Sequence, residues 1–260
     1  MHIREFIERN YPEYYSIERY PAERTAPFCK VDAPWGIFSN FGRTPLVIDG
    51  VAFDCSEKVF QVMKFADQVS RREVYLAKGQ TMKMKAKHFE KTGTVRADWG
   101  EIIVDAMKFC IAEKYRQSAE FRQALEESRG LFIVEDQTSF PKKNPDTWGA
   151  KLSGDGTLYV GPNLMGRLLM ELRDSGGSAP LVAAARRHPV PGVPEGVAPP
   201  LSYLRYLLRG VLGPGDALPF RIQLPANQNT SIYATTEQNN QFSVSRNIDE
   251  NHIIPINTIR

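Results

Sequence analysis

The stretch from Ser56 to Phe65 contains the residue types in this sequence that are best suited to acid–base chemistry. Glu57, Gln61 and Lys64 stand at positions i, i+4 and i+7, so a helix would place their side chains on one face. The residues between them are mostly apolar, which predicts a largely buried helix whose polar stripe faces a partner or a cleft. A cleft that holds a carboxylate and an amine is a candidate active site. The simpler alternative is a solvated stripe with ordinary i,i+4 pairing.

Two carboxylate–indole pairs form a second set of candidates. The segments Arg96-Ala-Asp98-Trp99 and Asp146-Thr-Trp148-Gly149 each place an aspartate close to a tryptophan. An indole can stack on a nucleobase, and a carboxylate can orient a ribose hydroxyl or stabilise positive charge at an anomeric carbon. The alternative is that the tryptophans belong to the core and that the aspartates cap helices.

Glycine-containing segments and a lysine-rich segment are candidate contacts for phosphate. Gly154-Asp155-Gly156 and Gly161-Pro162-Asn163 come before a predicted helix, whose free N–H groups would favour a pyrophosphate, although most such segments are simply turns. In the lysine-rich stretch, Lys83, Lys87 and Lys91 align at helical spacing. They would follow the phosphates of a nucleic acid, or else form a solvated helix face.

The elements that position these residues are predicted to be mainly helical. The spacing of Asp54 and Glu57 resembles a capping box, with Ser56 as a rival cap, and starts a helix that runs to about Asp67. Asn163 is the predicted N-cap of the last helix of the domain. The remaining predicted elements are helices at Glu101–Lys114, Ser118–Ser128, Leu164–Arg173 and Leu201–Leu212, and strands at Leu131–Glu135 and Phe220–Leu224.

Composition narrows the class of protein. The chain has 260 residues, 42% of them hydrophobic, and a net charge of +3, so it can bury one substantial core and permits anionic substrates without demanding them. It lacks the run of about 18 apolar residues that a membrane span needs, and a soluble, cytoplasmic protein is expected. Three cysteines without a CxxC spacing and four histidines without an HExxH motif predict neither disulfides nor a zinc site. We therefore expect chemistry without a metal or a cofactor.

The chain divides into four predicted regions. Residues 1–30 form an N-terminal extension, with an amphipathic start and an aromatic-rich stretch that is expected to pack on the outside of the domain. Residues 31–175 form the domain. Residues 176–200 are a Pro/Gly-rich linker, in which no regular element persists. Residues 201–260 form an irregular C-terminal extension that includes a polar segment rich in Asn and Gln.

Taken in order, five short motifs resemble the NADAR family, also called YbiA-like. They are Phe38-Ser39-Asn40-Phe41, Ser56-Glu57-x-x-Phe60-Gln61-x-x-Lys64-Phe65, Arg96-x-Asp98-Trp99, Asp146-x-Trp148-Gly149 and Asn163-x-x-Gly166. Five motifs in order are far more specific than any one alone. The chain departs from the family at Trp148-Gly149-Ala150-Lys151, where the family usually reads Trp-Gly-x-Gly.

The resemblance implies a mainly helical α+β domain that binds NAD- or ADP-ribose-like ligands and hydrolyses N-glycosidic bonds. One branch of the family removes ADP-ribose from guanine in nucleic acid, often as the antidote to an ADP-ribosyltransferase toxin. The other branch hydrolyses phosphorylated intermediates of riboflavin biosynthesis. We favour the first branch, so the implied partners are an ADP-ribosylated guanine nucleotide or nucleic acid and a cognate toxin. A non-catalytic reader of ADP-ribose is a further alternative.

Roles for individual residues follow from the resemblance together with the chemistry of the side chains. Glu57 is expected to do acid–base work, and Asp98 and Asp146 to orient ribose hydroxyls or water. Lys64 would either attack the opened sugar as an amine, which gives a Schiff base, or hold phosphate or Glu57 electrostatically. The expected ligand-binding residues are Phe38, Ser39, Asn40, Gln61, Arg96, Trp99, Trp148, Gly149 and Asn163.

Overall fold

The computed structural model describes residues 3–48, 51–92, 95–176, 232–235 and 241–244. It confirms the predicted mainly helical α+β fold. The α-helices are α1 (Ile3–Asn10), α2 (Ser56–Met63), α3 (Gln68–Leu76), α4 (Gly79–Lys91), α5 (Trp99–Gln117), α6 (Ala119–Glu127) and α7 (Leu164–Asp174). The strands are β1 (Glu18–Pro21), β2 (Thr25–Phe28), β3 (Leu46–Ile48), β4 (Val51–Phe53), β5 (Phe132–Glu135), β6 (Lys151–Leu152), β7 (Leu158–Gly161), β8 (Ile232–Thr235) and β9 (Gln241–Val244).

Two buried helices form the centre of the main core. All residues of α2 are buried, and in α5 every residue from Trp99 to Lys114 except Glu101 is buried. A helix with apolar residues around most of its circumference is enclosed on all sides, and α2 and α5 pack directly on each other. Helices α1, α6 and α7 also pack on α5. The polar residues of α2 therefore lie next to the centre of the fold.

The strands form small sheets beside the helices. Strands β1, β7 and β6 make an antiparallel sheet in that order, β2 and β5 pair in parallel, and β3 and β4 pair antiparallel. Strand β5 also packs on α7, so its end lies where the sheet meets the helices. Within the C-terminal extension, β8 and β9 pair antiparallel, with Ile232 opposite Val244.

Residues 3–28, which the sequence analysis placed on the outside of the domain, supply part of its interior. Ile7 and Tyr11 are fully buried, and the Tyr11 hydroxyl lies within hydrogen-bond distance of two acceptors on α5, the Glu101 carbonyl and the Asp105 carboxylate. Strand β2 lies beside β5 with Ala26 opposite Ile133. A strand of four residues that contains a proline has too weak a pattern for the sequence to reveal it.

Several helix boundaries differ from the prediction. Cys55, and neither Asp54 nor Ser56, occupies the N-cap of α2, and no side chain caps it. The helix ends at Met63 because the chain turns there to form a bridge between Phe65 and Val95. Asp67 instead caps α3, its carboxylate accepting a hydrogen bond of 2.8 Å from the Ser70 amide.

Other elements agree with the prediction to within a few residues. Ser118 caps α6 through a 3.1 Å hydrogen bond from the Phe121 amide, and β5 begins one residue after the predicted Leu131. Helix α5 is longer than predicted, because Trp99 and Gly100 begin it. The predicted helix Leu201–Leu212 and strand Phe220–Leu224 lie outside the described residues. Among the helices that the structure describes, none is long and apolar enough to cross a membrane.

Asn163 precedes α7 as predicted, but its side chain does not cap the helix. The residue has a left-handed backbone conformation with φ of 48°. Its amide group donates to the Ile133 carbonyl at 2.9 Å and accepts from the Glu135 amide at 3.0 Å. Asn163 therefore ties β5 to the start of α7, and its fully buried side chain is occupied by that task.

Candidate active site

The polar stripe of α2 is buried. Glu57, Gln61 and Lys64 are 7%, 6% and 9% exposed, so these residues do not form a solvated helix face. The Gln61 amide donates a 2.8 Å hydrogen bond to the Glu57 carboxylate, which fixes that carboxylate relative to the helix. The Glu57 backbone amide donates to the Asn40 carbonyl at 3.0 Å. Glu57 is thus held by its own helix and by the loop that contains Asn40.

The loop around Ser39 and Asn40 is attached to the start of α2. The Ser56 hydroxyl donates to the side-chain oxygen of Asn40 at 2.9 Å, and the Asn40 amide points to the sulfur atoms of Met107 and Met165. Both Ser39 and Asn40 are buried. Their observed hydrogen bonds are made to protein groups, so in this conformation they position Glu57.

A buried lysine secures the same loop from the other side. The Lys114 ammonium group donates to the carbonyls of Ile37 and Ser39 at 2.5 and 2.9 Å, and lies 4.5 Å from the centre of the Phe121 ring. Burial lowers the pKa of Lys114 to about 7. The sequence analysis missed this residue, because a lysine in a helix carries no local sign that its amine will be buried.

Lys64 forms an ion pair with Glu90 of α4. Its carbonyl accepts a 3.0 Å hydrogen bond from the Arg96 amide, which brings the Arg96–Asp98 segment to the end of α2. Arg96 and Asp98 form a two-point ion pair with distances of 2.8 and 2.7 Å. The carboxylate of Asp98 therefore has Arg96 as its direct partner, and Glu90 is a contact of Lys64 that the sequence did not reveal.

The two tryptophans of the motifs have different environments. The Phe60 ring lies 5.1 Å from Trp99 and 5.7 Å from Trp148, measured between ring centres. Trp99 is fully buried, as is Phe38, so both belong to the core in this conformation. Trp148 is only partly buried. Of the two indoles, Trp148 is the one with surface available to a base.

Asp146 is exposed and is held by a buried glutamine. The Gln137 amide donates to the Asp146 carboxylate at 2.6 Å, and its oxygen accepts from the Asp146 backbone amide at 2.8 Å. The same carboxylate accepts a 2.9 Å hydrogen bond from the Trp148 amide. Asp146 and Trp148 are therefore presented together by one loop.

A third carboxylate, that of Glu135, faces the same region, and the sequence analysis did not single it out. Glu135 is the last residue of β5. Burial, followed by the nearby carboxylates of Asp146 and Glu57, raises its pKa to about 7, against the opposing effect of Lys83. The signal that was available is its position, since it ends a predicted strand just before the Asp146 loop. The cluster Glu57, Glu135 and Asp146 is called the carboxylate cluster below.

Gly149 lets the loop that follows Trp148 approach β5 closely. A Cβ atom at this position would lie 2.5 Å from the Glu135 carbonyl and 2.7 Å from the Gln137 side chain. The residue is buried, so its place in the family motif is explained by packing between β5 and the Asp146 loop. Gly149 therefore allows the Asp146 loop to pack closely on the strand that carries Glu135.

The glycine-containing segments do not form the predicted pyrophosphate site. The turn at Gly154-Asp155-Gly156 joins β6 to β7 and does not lead into a helix. At the start of α7, the amides of Leu164 and Met165 donate to the carbonyls of Thr147 and Trp148 at 3.1 and 2.9 Å. These two N–H groups already have backbone partners and are not available to a pyrophosphate in this conformation.

Helix α4 brings one lysine of the predicted basic face to the site. The Lys83 ammonium lies 5.6 Å from the centre of the Phe41 ring, and its charge acts on Glu135. Lys87 and Lys91 are exposed on the same helix, whereas Lys85 pairs with Glu73 of α3. The basic face therefore starts at the carboxylate cluster and continues along α4.

Comparison with known sequences identifies the part of the chain that contains this candidate site. The profile of the NADAR domain matches residues 27–175, more than half of the chain. The chain belongs to the NADAR domain family. The N-glycosidase YbiA of Escherichia coli is 29% identical over 147 residues, which cover 56% of this chain and 85% of YbiA. The N-glycosidase Npun_R5314 of Nostoc punctiforme is 24% identical over 152 residues, 58% of this chain and 91% of that protein.

Two further relatives complete the comparison of this NADAR domain. A Vibrio vulnificus protein, riboflavin biosynthesis protein VVA0006, is 26% identical over 165 residues, 64% of this chain and 42% of its own length. The NMR structure of Escherichia coli YbiA aligns with a TM-score of 0.45 and 27% identity, over 58% of this chain and 85% of that one.

The predicted site residues of the NADAR domain separate into two groups by accessibility. Phe38, Trp99 and Asn163 are fully buried, and each packs or hydrogen bonds within the protein. Asp146 and Trp148 retain accessible surface. Arg96 and Asp98 belong to the same accessible group, and they pair with each other at the end of α2.

Proposed function

We propose that this NADAR domain is an N-glycosidase that hydrolyses the bond between a base nitrogen and the ribose of an ADP-ribose-like nucleotide, with ADP-ribosylated guanine in nucleic acid as its substrate. The observation that carries the proposal is the carboxylate cluster beside the half-buried Trp148, with the charge of Lys83 acting on it. Cleavage of an N-glycoside requires stabilised positive charge at the anomeric carbon and a proton for the departing base. The cluster contains groups for both tasks.

The three carboxylates differ in what they can contribute. Glu57 is fixed by Gln61 and by the Asn40 carbonyl, which suits a charge that must face the anomeric carbon. Glu135 keeps its proton up to about neutral pH, because its pKa is raised to about 7 by burial and by its acidic neighbours. It is therefore the group that can donate a proton to the base. Asp146, exposed and oriented by Gln137, can hold a ribose hydroxyl or the attacking water.

Lys64 has two roles that its contacts support. As a cation, paired with Glu90, it would hold a phosphate or the developing negative charge of the leaving group. As a nucleophile it would first lose a proton to Glu90, and the free amine would then add to C1 of the ring-opened sugar, where the base nitrogen is still bound. The bond from C1 to the base would break as the imine to Lys64 forms, and the base would leave with a proton on its nitrogen. Hydrolysis of the imine would restore the amine and the free sugar aldehyde.

The preference for a nucleic acid substrate rests on the basic face of α4. Lys83 lies at the carboxylate cluster, and the exposed Lys87 and Lys91 follow it at helical spacing. A modified base inside a strand would place its neighbouring phosphates along such a face, and each lysine would contribute a salt-sensitive contact. A mononucleotide would reach only Lys83.

A riboflavin-pathway intermediate is the second candidate substrate. The specific observation in its favour is the similarity to the Vibrio vulnificus protein whose name places it in riboflavin biosynthesis. The same cluster and Trp148 would serve a phosphorylated ribosyl intermediate, and the exposed lysines of α4 would then be a solvated face. A non-catalytic reader of ADP-ribose would need the cleft without proton transfer.

The test is incubation of the full chain with guanine-ADP-ribosylated DNA and, separately, with riboflavin-pathway intermediates, followed by mass spectrometry. We expect free ADP-ribose and restored guanine from the DNA, with little turnover of the intermediates. Glu57→Gln should lower turnover at least about a hundredfold, the low end for a positioned acid or base. The matched control is Glu120→Gln, at an exposed glutamate of α6, which should leave the rate unchanged. Turnover of the intermediates alone would select the second candidate, and tight ADP-ribose binding without turnover would select the reader.

A further inference from the structure

The segment between Gln137 and Asp146 forms a closed loop beside the carboxylate cluster. The side chain of Gln137, 1% exposed, makes two hydrogen bonds to Asp146, so the two ends of the loop are clamped together. Glu135 lies two residues before this clamp, and Trp148 two residues after it. The loop is called the 138–145 loop below. Its position is therefore set by the same contacts that set the candidate active site.

The tip of the 138–145 loop presents an aromatic ring and two lysines. Phe140 is 44% exposed, and the residues that follow it, Pro141, Lys142, Lys143 and Asn144, are all exposed. Among the residues that the structure describes, neither lysine is in an ion pair. A single exposed hydrophobic residue is common on a protein surface and needs no explanation. Here the ring stands next to two unneutralised cations at the edge of a candidate active site.

The 138–145 loop is fastened to the sheet. The Lys151 side chain donates to the Phe140 carbonyl at 2.6 Å, and the Phe140 amide donates to the Gln137 carbonyl at 3.0 Å. The Leu152 amide donates to the Thr138 hydroxyl at 2.9 Å. The tether from Lys151 depends on a side chain, so it can be removed by substitution without altering the loop itself.

The 138–145 loop is short, so its tip stays near Gln137 and Asp146. Phe140 is three residues from Gln137, and Lys143 is three residues from Asp146. A fully extended chain spans at most about 3.6 Å per residue, so each lies within about 11 Å of its end of the clamp. A nucleotide adjacent to a base bound at Asp146 and Trp148 is therefore within reach of both side chains.

We infer that the 138–145 loop is a docking surface for the single-stranded nucleic acid that flanks the modified base, with Phe140 stacking on a neighbouring base and Lys142 and Lys143 contacting phosphates. Sites for single strands combine an aromatic ring with a cationic surface, because every base has a π face and every nucleotide carries a charge. The inference rests on the proposed function, since it names how the strand around the scissile nucleoside would be held.

The test compares two substrates of the full chain: an ADP-ribosylated guanine within a single-stranded oligonucleotide, and the same modified base as a mononucleotide. Phe140→Ala should raise KM for the oligonucleotide about tenfold, a moderate value for the loss of one base–aromatic stack. The double change Lys142→Gln and Lys143→Gln should reduce the slope of log KM against log salt by about 1.4, since each single-strand phosphate contact contributes about 0.7. Turnover of the mononucleotide should stay within about twofold.

The matched controls lie on α3, where Val69 is 69% exposed and Arg72 is also exposed. Val69→Ala and Arg72→Gln should change neither KM nor its salt dependence. Binding of an unmodified single-stranded oligonucleotide, followed by fluorescence anisotropy, gives a readout that does not depend on catalysis, and Phe140→Ala should weaken it by the same factor.

Three results would separate the outcomes. If Phe140→Ala leaves oligonucleotide KM and binding unchanged, the inference is wrong. Equal loss of turnover on oligonucleotide and mononucleotide would also overturn it, because the loop would then act only by positioning Asp146. If the wild-type chain cleaves neither substrate but binds the oligonucleotide through Phe140, the proposed function fails while the docking surface stands.

Discussion

The pH dependence of turnover tests whether Glu135 is the proton donor. Burial and the carboxylates of Asp146 and Glu57 raise the pKa of Glu135 to about 7, so about half of the molecules carry the proton at neutral pH. If the base leaves only after protonation by Glu135, kcat/KM should be level below pH 7. Above that pH it should fall tenfold for each pH unit, because kcat/KM reports the ionisation of the free enzyme.

The preference of Glu135 for its neutral form follows from the shift in its pKa. The pKa of Glu135 rises from 4.5 to about 7, which corresponds to about 3 kcal/mol in favour of the neutral form. Lys83 opposes the shift, so Lys83→Gln should raise the pKa further and move the alkaline limb to higher pH. A variant that lowers the net positive charge of the site would thereby extend activity into more alkaline solution.

The assay is kcat/KM for an ADP-ribosylated guanine mononucleotide between pH 5 and pH 9 at constant ionic strength. Glu135→Gln keeps the shape of the side chain and cannot donate an acidic proton, so turnover should fall at least about a hundredfold and the alkaline limb near pH 7 should disappear. Glu120→Gln should keep both the rate and the limb. A Glu135→Gln enzyme with the wild-type pH profile would refute the assignment.

The same shift predicts a stability change that can be measured without substrate. Folded protein retains the Glu135 proton between pH 4.5 and about 7, where the unfolded chain has lost it. The contribution of this group to the free energy of unfolding is therefore fully present below pH 4.5 and is lost as the pH rises through about 7. Denaturant unfolding at pH 5 and pH 8 should show a smaller loss over this interval for Glu135→Gln than for the wild type. Equal losses would mean that the carboxyl group is not held neutral.

Three further predictions concern Lys64, the tail and the basic face. Lys64→Ala should lower turnover at least about a hundredfold, and borohydride added during turnover should trap a sugar adduct on Lys64 only if the covalent route operates. Deletion of residues 178–260 should leave mononucleotide turnover intact, because the family match ends at residue 175; lost activity in a folded variant would place the tail in the site. Changing Lys83, Lys87 and Lys91 to Gln should raise KM for ADP-ribosylated DNA and reduce its salt dependence by up to about three charge units. If the triple variant has equal effects on a mononucleotide, the substrate is not nucleic acid.

Local periodicity was enough to predict helix α2 and its burial. Glu57, Gln61 and Lys64 share a face because the spacing of a helix is fixed, and the apolar residues between them correctly indicated burial. The carboxylate cluster required more than local information. Glu135 comes from the end of a strand and Asp146 from a loop, and only the packing of β5 against its neighbours brings them to Glu57.

The N-terminal segment and Asn163 show a second limit. The pairing of β2 with β5 joins residues about a hundred positions apart, and the residue pattern of neither strand predicts which strand it pairs with. For Asn163 the sequence correctly gave the start of α7, but an asparagine side chain can serve its own helix or a neighbouring strand equally well. Here the Asn163 side chain bonds to the neighbouring strand, because its amide group lies 2.9 Å from the Ile133 carbonyl and 3.0 Å from the Glu135 amide.

The asparagines of the family motifs hold other residues in place. The Asn40 side chain accepts a hydrogen bond from the Ser56 hydroxyl at the start of α2, next to Glu57, and the Asn163 side chain accepts from the Glu135 amide. Because neither side chain contacts a carboxylate directly, replacing either asparagine should displace a carboxylate without changing its chemistry. Such variants should lose rate while keeping the pH at which the alkaline limb begins, whereas changes in the carboxylates themselves should alter that pH. The two asparagines of the motifs would thus act on the reaction through geometry, whereas Glu57 and Lys64, although equally buried, are proposed to act on the substrate directly.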